Sequence, residues 1–163
     1  MKLPALPSGA HCPVSPKVAV TAAPVGVKTA IPAYAFGSGP AYLSGQVDWY
    51  AGTPGQAAVI LVDTTYSGPI LIRAGSLDGS GTATLAIVDL PESRRLPGMT
   101  APGTATAGGV QAQVPPPAYP GLWRDWTGHL TLSAPGCYAV QVDGTSFTSV
   151  VVFAVQPGPI PPG

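Results

Sequence analysis

Proline and glycine recur along the whole chain, with 21 residues of each among 163. Proline lacks a backbone N–H and clashes inside a helix, so long helices cannot form where it returns at such short intervals. Strong helix formers are also scarce, with only three Lys and one Glu. The prolines and glycines instead separate short apolar runs, and this pattern favours an all-β domain with long Pro/Gly-rich loops.

Charge and apolar content exclude several classes of protein. Hydrophobic residues make up 45% of the chain and charged residues 9%, which is the reverse of a disordered segment. Seven basic residues against seven acidic ones leave no surplus of positive charge for a nucleic-acid backbone. No apolar run reaches the roughly 18 residues of a membrane-spanning helix. We therefore expect no nucleic-acid partner and no transmembrane segment.

Short apolar runs follow one another about every 10–13 residues, a spacing typical of an antiparallel β-sandwich. We predict a sandwich of about seven to nine strands within a single domain, residues 17–156, flanked by a Pro-rich arm, residues 1–16, and a Pro/Gly-rich tail, residues 157–163. Strand-like runs occupy residues 17–20, 25–31, 41–50, 57–62, 69–74, 82–88, 110–114, 128–133, 137–142 and 145–155. We expect a turn at 33–40, a bulge or bend at Gly45, and a short edge strand at 110–114.

The final hairpin is the most clearly predicted element. Asp143 and Gly144 separate two alternating runs, and Asp-Gly is typical of a two-residue type I′ turn with positive φ at both positions. Such a turn pairs Val142 with Thr145 and places seven side chains on one buried face. These are Tyr138, Val140, Val142, Phe147, Val151, Phe153 and Val155. Cys137 then lies on the opposite face, unless a bulge at 145–146 reverses the faces.

Two substitutions would test this hairpin. Phe153→Ala should cost about 3–5 kcal/mol if the ring lies in the core. Gly144→Val should be destabilising, because a β-branched residue resists positive φ.

Cys12 and Cys137 allow two interpretations. As free thiols, they would be two unrelated small apolar residues. As a disulfide, they would tie the amino-terminal segment to the last hairpin, across the outside of its sheet or at the sheet edge, and close a loop of about 125 residues. Few Lys and Glu with many Thr, Ser, Gly and Pro are typical of secreted proteins, where disulfides persist. We therefore expect the disulfide.

The same composition predicts a location outside the cytoplasm. Residues 1–10 lack the apolar core of a signal peptide, so either a signal was removed before this numbering begins or the protein is cytosolic. We favour the first alternative, with the protein secreted or lipid-anchored.

Residues with catalytic or metal-binding chemistry are few and dispersed. His11 and His129 are the only histidines, no Gly-Xaa-Ser-Xaa-Gly motif is present, and the carboxylates are scattered singly. His11 adjoins Cys12, but no second cluster with zinc-like spacing accompanies them. We predict a protein that is not an enzyme and that has no metal site and no cofactor.

One aromatic cluster is a candidate binding site. Tyr119, Trp123 and Trp126 fall within eight residues, beside Arg124 and Asp125. Aromatic faces with polar neighbours can hold a sugar ring or the apolar part of a ligand. Alternatively, the tryptophans fill the end of the sandwich core, and we favour this alternative because large aromatic side chains are mostly buried.

The carboxy-terminal third carries a recognisable pattern. It comprises Trp123-Arg124-Asp125-Trp126, Pro135-Gly136-Cys137-Tyr138, Val142-Asp143-Gly144 and the Phe147–Phe153 strand, with an early Cys12-Pro13-Val14. This pattern, which covers about 35 residues, resembles a family of uncharacterised exported bacterial proteins, often lipoproteins, from Gram-positive and related bacteria. The resemblance implies an immunoglobulin-like sandwich outside the cytoplasm with the two cysteines paired. It implies no activity.

Two functional hypotheses follow. The first is a non-catalytic module that binds a ligand, a glycan or a protein at the cell envelope. The second is a structural subunit that assembles with copies of itself by strand addition into an extracellular polymer. Low charge and the apolar terminal segments 1–16 and 157–163 motivate this second hypothesis.

Overall fold

The computed structural model describes residues 3–7, 9–19, 34–45, 48–87, 111–114 and 124–158. Over these residues the protein has eleven strands in two sheets, so the predicted all-β sandwich is confirmed. The strands are β1 (Lys17–Ala19), β2 (Tyr34–Phe36), β3 (Ala41–Gly45), β4 (Trp49–Tyr50), β5 (Gln56–Val62), β6 (Ile70–Ser76), β7 (Ala83–Ile87), β8 (Gln111–Val114), β9 (Arg124–Leu132), β10 (Gly136–Asp143) and β11 (Thr148–Gln156).

The strands form one sheet of six and one of five. Sheet A has the order β1-β2-β3-β5-β9-β7, and sheet B has the order β4-β11-β10-β6-β8. All the paired strands are antiparallel except β4 and β11, which run parallel. The predicted edge strand at 110–114 is confirmed as β8, at one edge of sheet B. No helix among the described segments has the length and apolar character needed to cross a bilayer.

The main core lies between the two sheets. It is built where apolar side chains at every second position of each strand point inward, as in β5, where Ala58, Ile60 and Val62 are fully buried. Its aromatic centre is Phe153, whose ring lies 5.0 Å from that of Trp49 and 6.3 Å from that of Tyr138. Six of the seven side chains predicted on the inner face of the last hairpin are buried in this core, and Phe147 packs against it.

The pairing of that hairpin differs from the prediction. Val142 pairs with Ser149 rather than Thr145, because the loop has four residues, 144–147, instead of a two-residue turn. The shift is four residues, an even number, so every side chain keeps its predicted face. Gly144 has no positive φ, and a Cβ there would lie 2.5 Å from the Phe147 ring. Gly144→Val is therefore disfavoured by a steric clash and not by the backbone angle.

Three other strand predictions need correction. Residues 33–40, predicted as a turn, contain β2, and the single strand predicted at 41–50 is divided between β3 in sheet A and β4 in sheet B. Gly45 ends β3 with a φ of 125°, and a Cβ there would meet the Ala57 carbonyl oxygen at 2.6 Å, in agreement with the predicted bend. The strand predicted at 128–133 begins earlier, at Arg124. Short strands such as β2 and β4 raise the number above seven to nine, and the run at 25–31 lies outside the described residues.

The two cysteines form a disulfide, with their Cα atoms 5.4 Å apart, so the predicted pairing is confirmed. The bond lies on the outer face of sheet B, on the opposite side from the main core. There Leu77, Cys137, Ala139 and Val152 form a second buried cluster, and Leu3, Leu6, Cys12 and Val150 pack against it. The amino-terminal arm thus crosses the outside of the sheet that carries Cys137.

Candidate functional site

Many strand ends meet at one end of the sandwich, which we call the loop end. In sheet A, Val62 pairs with Ala41 and with Arg124, so β3 and β9 begin where β5 ends. In sheet B, Asp143 pairs with Thr148, and the connections 37–40, 63–69 and 144–147 join strands here. The loop end comprises these three connections and the adjoining strand ends.

The two sheets are hydrogen-bonded to each other at the loop end. The Ser149 hydroxyl accepts a hydrogen bond from the Ala41 N–H at 3.4 Å and donates one to the Gly39 carbonyl at 3.1 Å. Ser149 begins the core-facing part of β11 and is 6% exposed. Because this buried hydroxyl both accepts and donates, it fixes the 37–40 connection against sheet B.

An aromatic pair joins two of the connections. The rings of Tyr66 and Phe147 meet edge to face, with centroids 4.8 Å apart and planes at 84°. The Tyr66 hydroxyl donates to the Pro69 carbonyl at 2.6 Å and accepts from the Thr145 N–H at 2.9 Å. The side chain is 8% exposed, so Tyr66 anchors the 63–69 connection to the 144–147 connection.

A polar network adjoins this pair on the outer face of sheet B. The Asp143 carboxylate accepts from Gln141 Nε2 at 2.7 and 2.9 Å and from Thr148 Oγ1 at 2.9 Å. It also pairs with Arg73 Nη1 at 3.1 Å. Four donor contacts hold this carboxylate in one orientation, and Gln141 beside it is 1% exposed.

A tyrosine and two carboxylates lie on the outer face of sheet A at the same end. Leu61 in β5 is flanked by Tyr42 in the neighbouring strand β3 and by Asp125 in the neighbouring strand β9. Burial raises the pKa of Tyr42, and the nearby charge of Asp63 raises it further. Burial also raises the pKa of the Asp125 carboxyl. Asp63 itself accepts hydrogen bonds from the backbone and the hydroxyl of Thr65.

Hydroxyl side chains cover the rest of the loop end. Thr64, Thr65, Ser67, Thr145 and Ser146 are all exposed. Hydroxyls both donate and accept hydrogen bonds, and here they stand beside half-buried aromatic rings and fixed carboxylates. Such a surface can hydrogen-bond a neutral polar ligand, such as a sugar or an extended peptide, while an aromatic edge packs against its apolar parts.

The structure describes only some residues of the predicted aromatic site. Trp126 lies in β9 opposite Ile60, is half-buried and packs against the main core, as the core-filling alternative requires. The backbone of Arg124 begins the same strand. Tyr119 and Trp123 lie outside the described residues. They belong to the connection between Val114, where β8 ends beside Ile70, and Arg124, and both of these strand ends are at the loop end.

Sequence reasoning missed Tyr66, Phe147 and Tyr42 as components of this end. Tyr66 stands in a Ser/Gly turn, where an aromatic side chain has no strand face to occupy. An aromatic residue in such a turn is the signal that could have identified Tyr66 as part of the site. The two-residue turn assigned to Asp143-Gly144 placed Phe147 in a strand, so its position in a loop could not be predicted.

The histidines lie away from the loop end, and both are exposed. His11 is in the arm, and His129 is opposite Ala57 on the outer face of sheet A. Within the described ranges, no three His, Cys, Asp or Glu side chains are grouped so that they could hold a metal ion.

No protein-family model matches this chain, and no curated protein matches it. The resemblance of its carboxy-terminal pattern to exported bacterial proteins therefore stays a prediction.

Proposed function

We propose that this protein is a non-catalytic β-sandwich module that works outside the cytoplasm and binds a glycan or protein ligand of the cell envelope through its loop end. The observation that carries the proposal is the convergence at that end. Three described connections meet there, rich in exposed hydroxyls and held together by Tyr66 and Ser149. Both strands that flank the aromatic segment 115–123 also end there.

The hydrogen bonds that join the segments of this end favour binding. Recognition by surface loops is efficient when a scaffold holds them in place, because little ordering entropy is then lost on binding. Tyr66, Ser149 and Asp143 each make two or more hydrogen bonds that fix neighbouring segments. The exposed hydroxyls are therefore presented on a fixed frame.

The disulfide supports the location. Cysteines persist as structural disulfides mainly in oxidising compartments, and this bond joins residues 125 positions apart. In protein taken from its native cells by acid quenching, both cysteines should resist alkylation until a reductant is added. Alkylation without reductant would place the mature protein in a reducing compartment.

Binding at the loop end can be tested with two matched substitutions. Thr64 at the loop end and Thr84 in β7 are both exposed threonines. Thr64→Arg puts a bulky side chain into the proposed surface and should weaken binding by about tenfold or more, which corresponds to about 1.4 kcal/mol. Thr84→Arg, the control, should leave affinity unchanged. The probes are a panel of immobilised glycans and solubilised cell-envelope fractions, with the oxidised protein as analyte.

Two results would overturn the proposal. One is the absence of binding to every glycan and every envelope fraction. The other is binding that Thr64→Arg and Thr84→Arg weaken equally, because the ligand would then not be held at the loop end.

Self-assembly through the arm is less well supported. The Cys12–Cys137 bond holds the arm on its own sheet, so the arm of the oxidised protein is not available to complete the sheet of another copy. Sedimentation of the oxidised protein at high concentration distinguishes the two functions: a monomer supports the binding module, and a concentration-dependent polymer supports the structural subunit.

A further inference from the structure

The amino-terminal arm covers a part of sheet B that would otherwise be exposed. Leu3, Leu6 and Cys12 lie over the second apolar cluster, and the members of that cluster in the sheet, such as Ala139 and Val152, are at most 9% exposed. This cluster faces away from the main core, so the arm, and not sheet A, shields it from water.

The arm also closes a gap in the edge of β11. The N–H of Val152 donates to the Ser15 hydroxyl, and its carbonyl accepts from the Ser15 N–H, both at 2.9 Å. Farther along, Val155 and Gln156 pair with β4. Ser15 therefore covers the backbone groups of β11 that would otherwise present an open strand edge.

Apart from the apolar packing of Leu3 and Leu6 and the two hydrogen bonds of Ser15, few noncovalent contacts hold the arm before Pro16. Between described residues, the only other backbone hydrogen bond from this part of the arm to the rest of the chain joins the Leu6 N–H to the carbonyl of Leu77, the residue that follows β6. Pro4, Pro7 and Pro13 have no N–H to donate, and most side chains from 4 to 14 are exposed. Ordering a segment of this length is entropically costly, so the disulfide is the contact that keeps it in place.

From Pro16 onwards the chain is attached separately to sheet A. The Pro16 carbonyl accepts from the Gly37 N–H at 3.0 Å, and β1 pairs with β2. The Lys17 ammonium also lies 3.8 Å from the centre of the Tyr34 ring. Residues 3–15 can therefore leave sheet B while β1 stays in place.

We propose that residues 3–15 are a strap locked by the disulfide, and that a dithiol reductant releases it to uncover the second apolar cluster and the middle of the β11 edge. The two sulfurs differ in access, because Cys12 is only half-buried whereas Cys137 is 2% exposed. A thiolate of the dithiol attacks the Cys12 sulfur, and Cys137 leaves as a thiolate. The second thiol of the reductant then displaces Cys12, so the protein gains two electrons and the reductant leaves as a disulfide. This proposal does not depend on the ligand of the loop end.

Amide hydrogen exchange of the full-length oxidised protein, before and after dithiothreitol, tests the strap. Successive residues of a strand direct their backbone groups to opposite edges, so the Val152 N–H faces Ser15 while the Phe153 N–H faces β10. On reduction the Val152 amide should exchange within about tenfold of an unstructured amide, because the released arm no longer covers it. The Phe153 amide should still exchange at least about tenfold more slowly than the Val152 amide, because the reduced fold keeps β11 paired with β10. Complete reduction is checked by the mass added on alkylation.

Ser15→Ala, left oxidised, is the companion variant. It removes the hydroxyl that accepts from Val152 and should accelerate the exchange of that amide without added reductant. Unchanged Val152 exchange in the fully reduced protein would overturn the proposal, because the arm would then stay bound without the disulfide. Equal protection of the Val152 and Phe153 amides in the reduced protein would overturn it too, because the arm would then not leave separately from the rest of the sheet.

Discussion

At the scale of single residues, Asp78 shows how one carboxylate fixes a turn next to the disulfide. It accepts from the Cys137 N–H at 2.8 Å, the Ser76 hydroxyl at 2.9 Å and the Ser80 N–H at 3.0 Å. Partial burial alone would raise its pKa, but the hydrogen bonds from Ser80, Cys137 and Ser76 outweigh burial and hold the pKa well below its ordinary value. Cys137 is 2% exposed, so its N–H has no ready access to water as a substitute.

Asp78→Asn should therefore destabilise the protein in a pH-dependent way. At neutral pH the cost should be about 1–3 kcal/mol, because an amide can serve the Cys137 N–H or the Ser76 and Ser80 donors but not both. The folded pKa is depressed, so the contribution of the carboxylate is present above about pH 4, the unfolded value, and is lost as the pH falls towards the folded pKa. Urea unfolding of both proteins at pH 7, 4 and 2 should show the difference shrinking with acid. A difference that stays constant would mean that the charge of Asp78 does not matter.

At the scale of the elements, the last hairpin shows what could be predicted from sequence and what could not. Alternation over two long strands determined the buried face correctly, because only one face can hold Tyr138, Val140 and Phe153 in a core. The loop could not be predicted from the Asp-Gly pair, because tertiary contacts decide it. Phe147 leaves the strand to meet Tyr66, and Asp143 binds Thr148 and Arg73.

The same scale carries a test of the core. Phe153 is 4% exposed between Trp49 and Tyr138, so Phe153→Ala should cost about 3–5 kcal/mol. Phe147→Ala makes the same chemical change in the loop of the same hairpin, where the ring is only half-buried, and should cost about 1–2 kcal/mol. Chemical denaturation of both variants gives the comparison. Similar costs would place the centre of the core elsewhere.

At the scale of the molecule, the sequence predicted the two-layer architecture and the disulfide but not the site. Binary alternation and compartment-dependent cysteine usage are general physical signals, whereas the loop end is assembled from residues far apart in the chain, such as Ser149 and Gly39 or Thr145 and Tyr66. Trp126 was identified from local aromatic density alone. Its packing against the core shows that such density marks burial as readily as binding.

The disulfide gives the last prediction at this scale. It connects residues 125 positions apart, so the chain-entropy model expects its loss to cost up to about 5 kcal/mol, mainly by freeing the unfolded chain. The core between the sheets contains neither cysteine, so the Cys12→Ala and Cys137→Ala double variant should still fold. Its urea midpoint should be lower, with the circular dichroism of a β-protein retained.

Cys12→Ala alone breaks the same bond and should lose nearly as much stability, as should the wild type in excess reductant. A variant as stable as the oxidised protein would contradict this expectation. Loss of the bond would then raise the conformational entropy of the native state, through release of the arm, as much as that of the unfolded state.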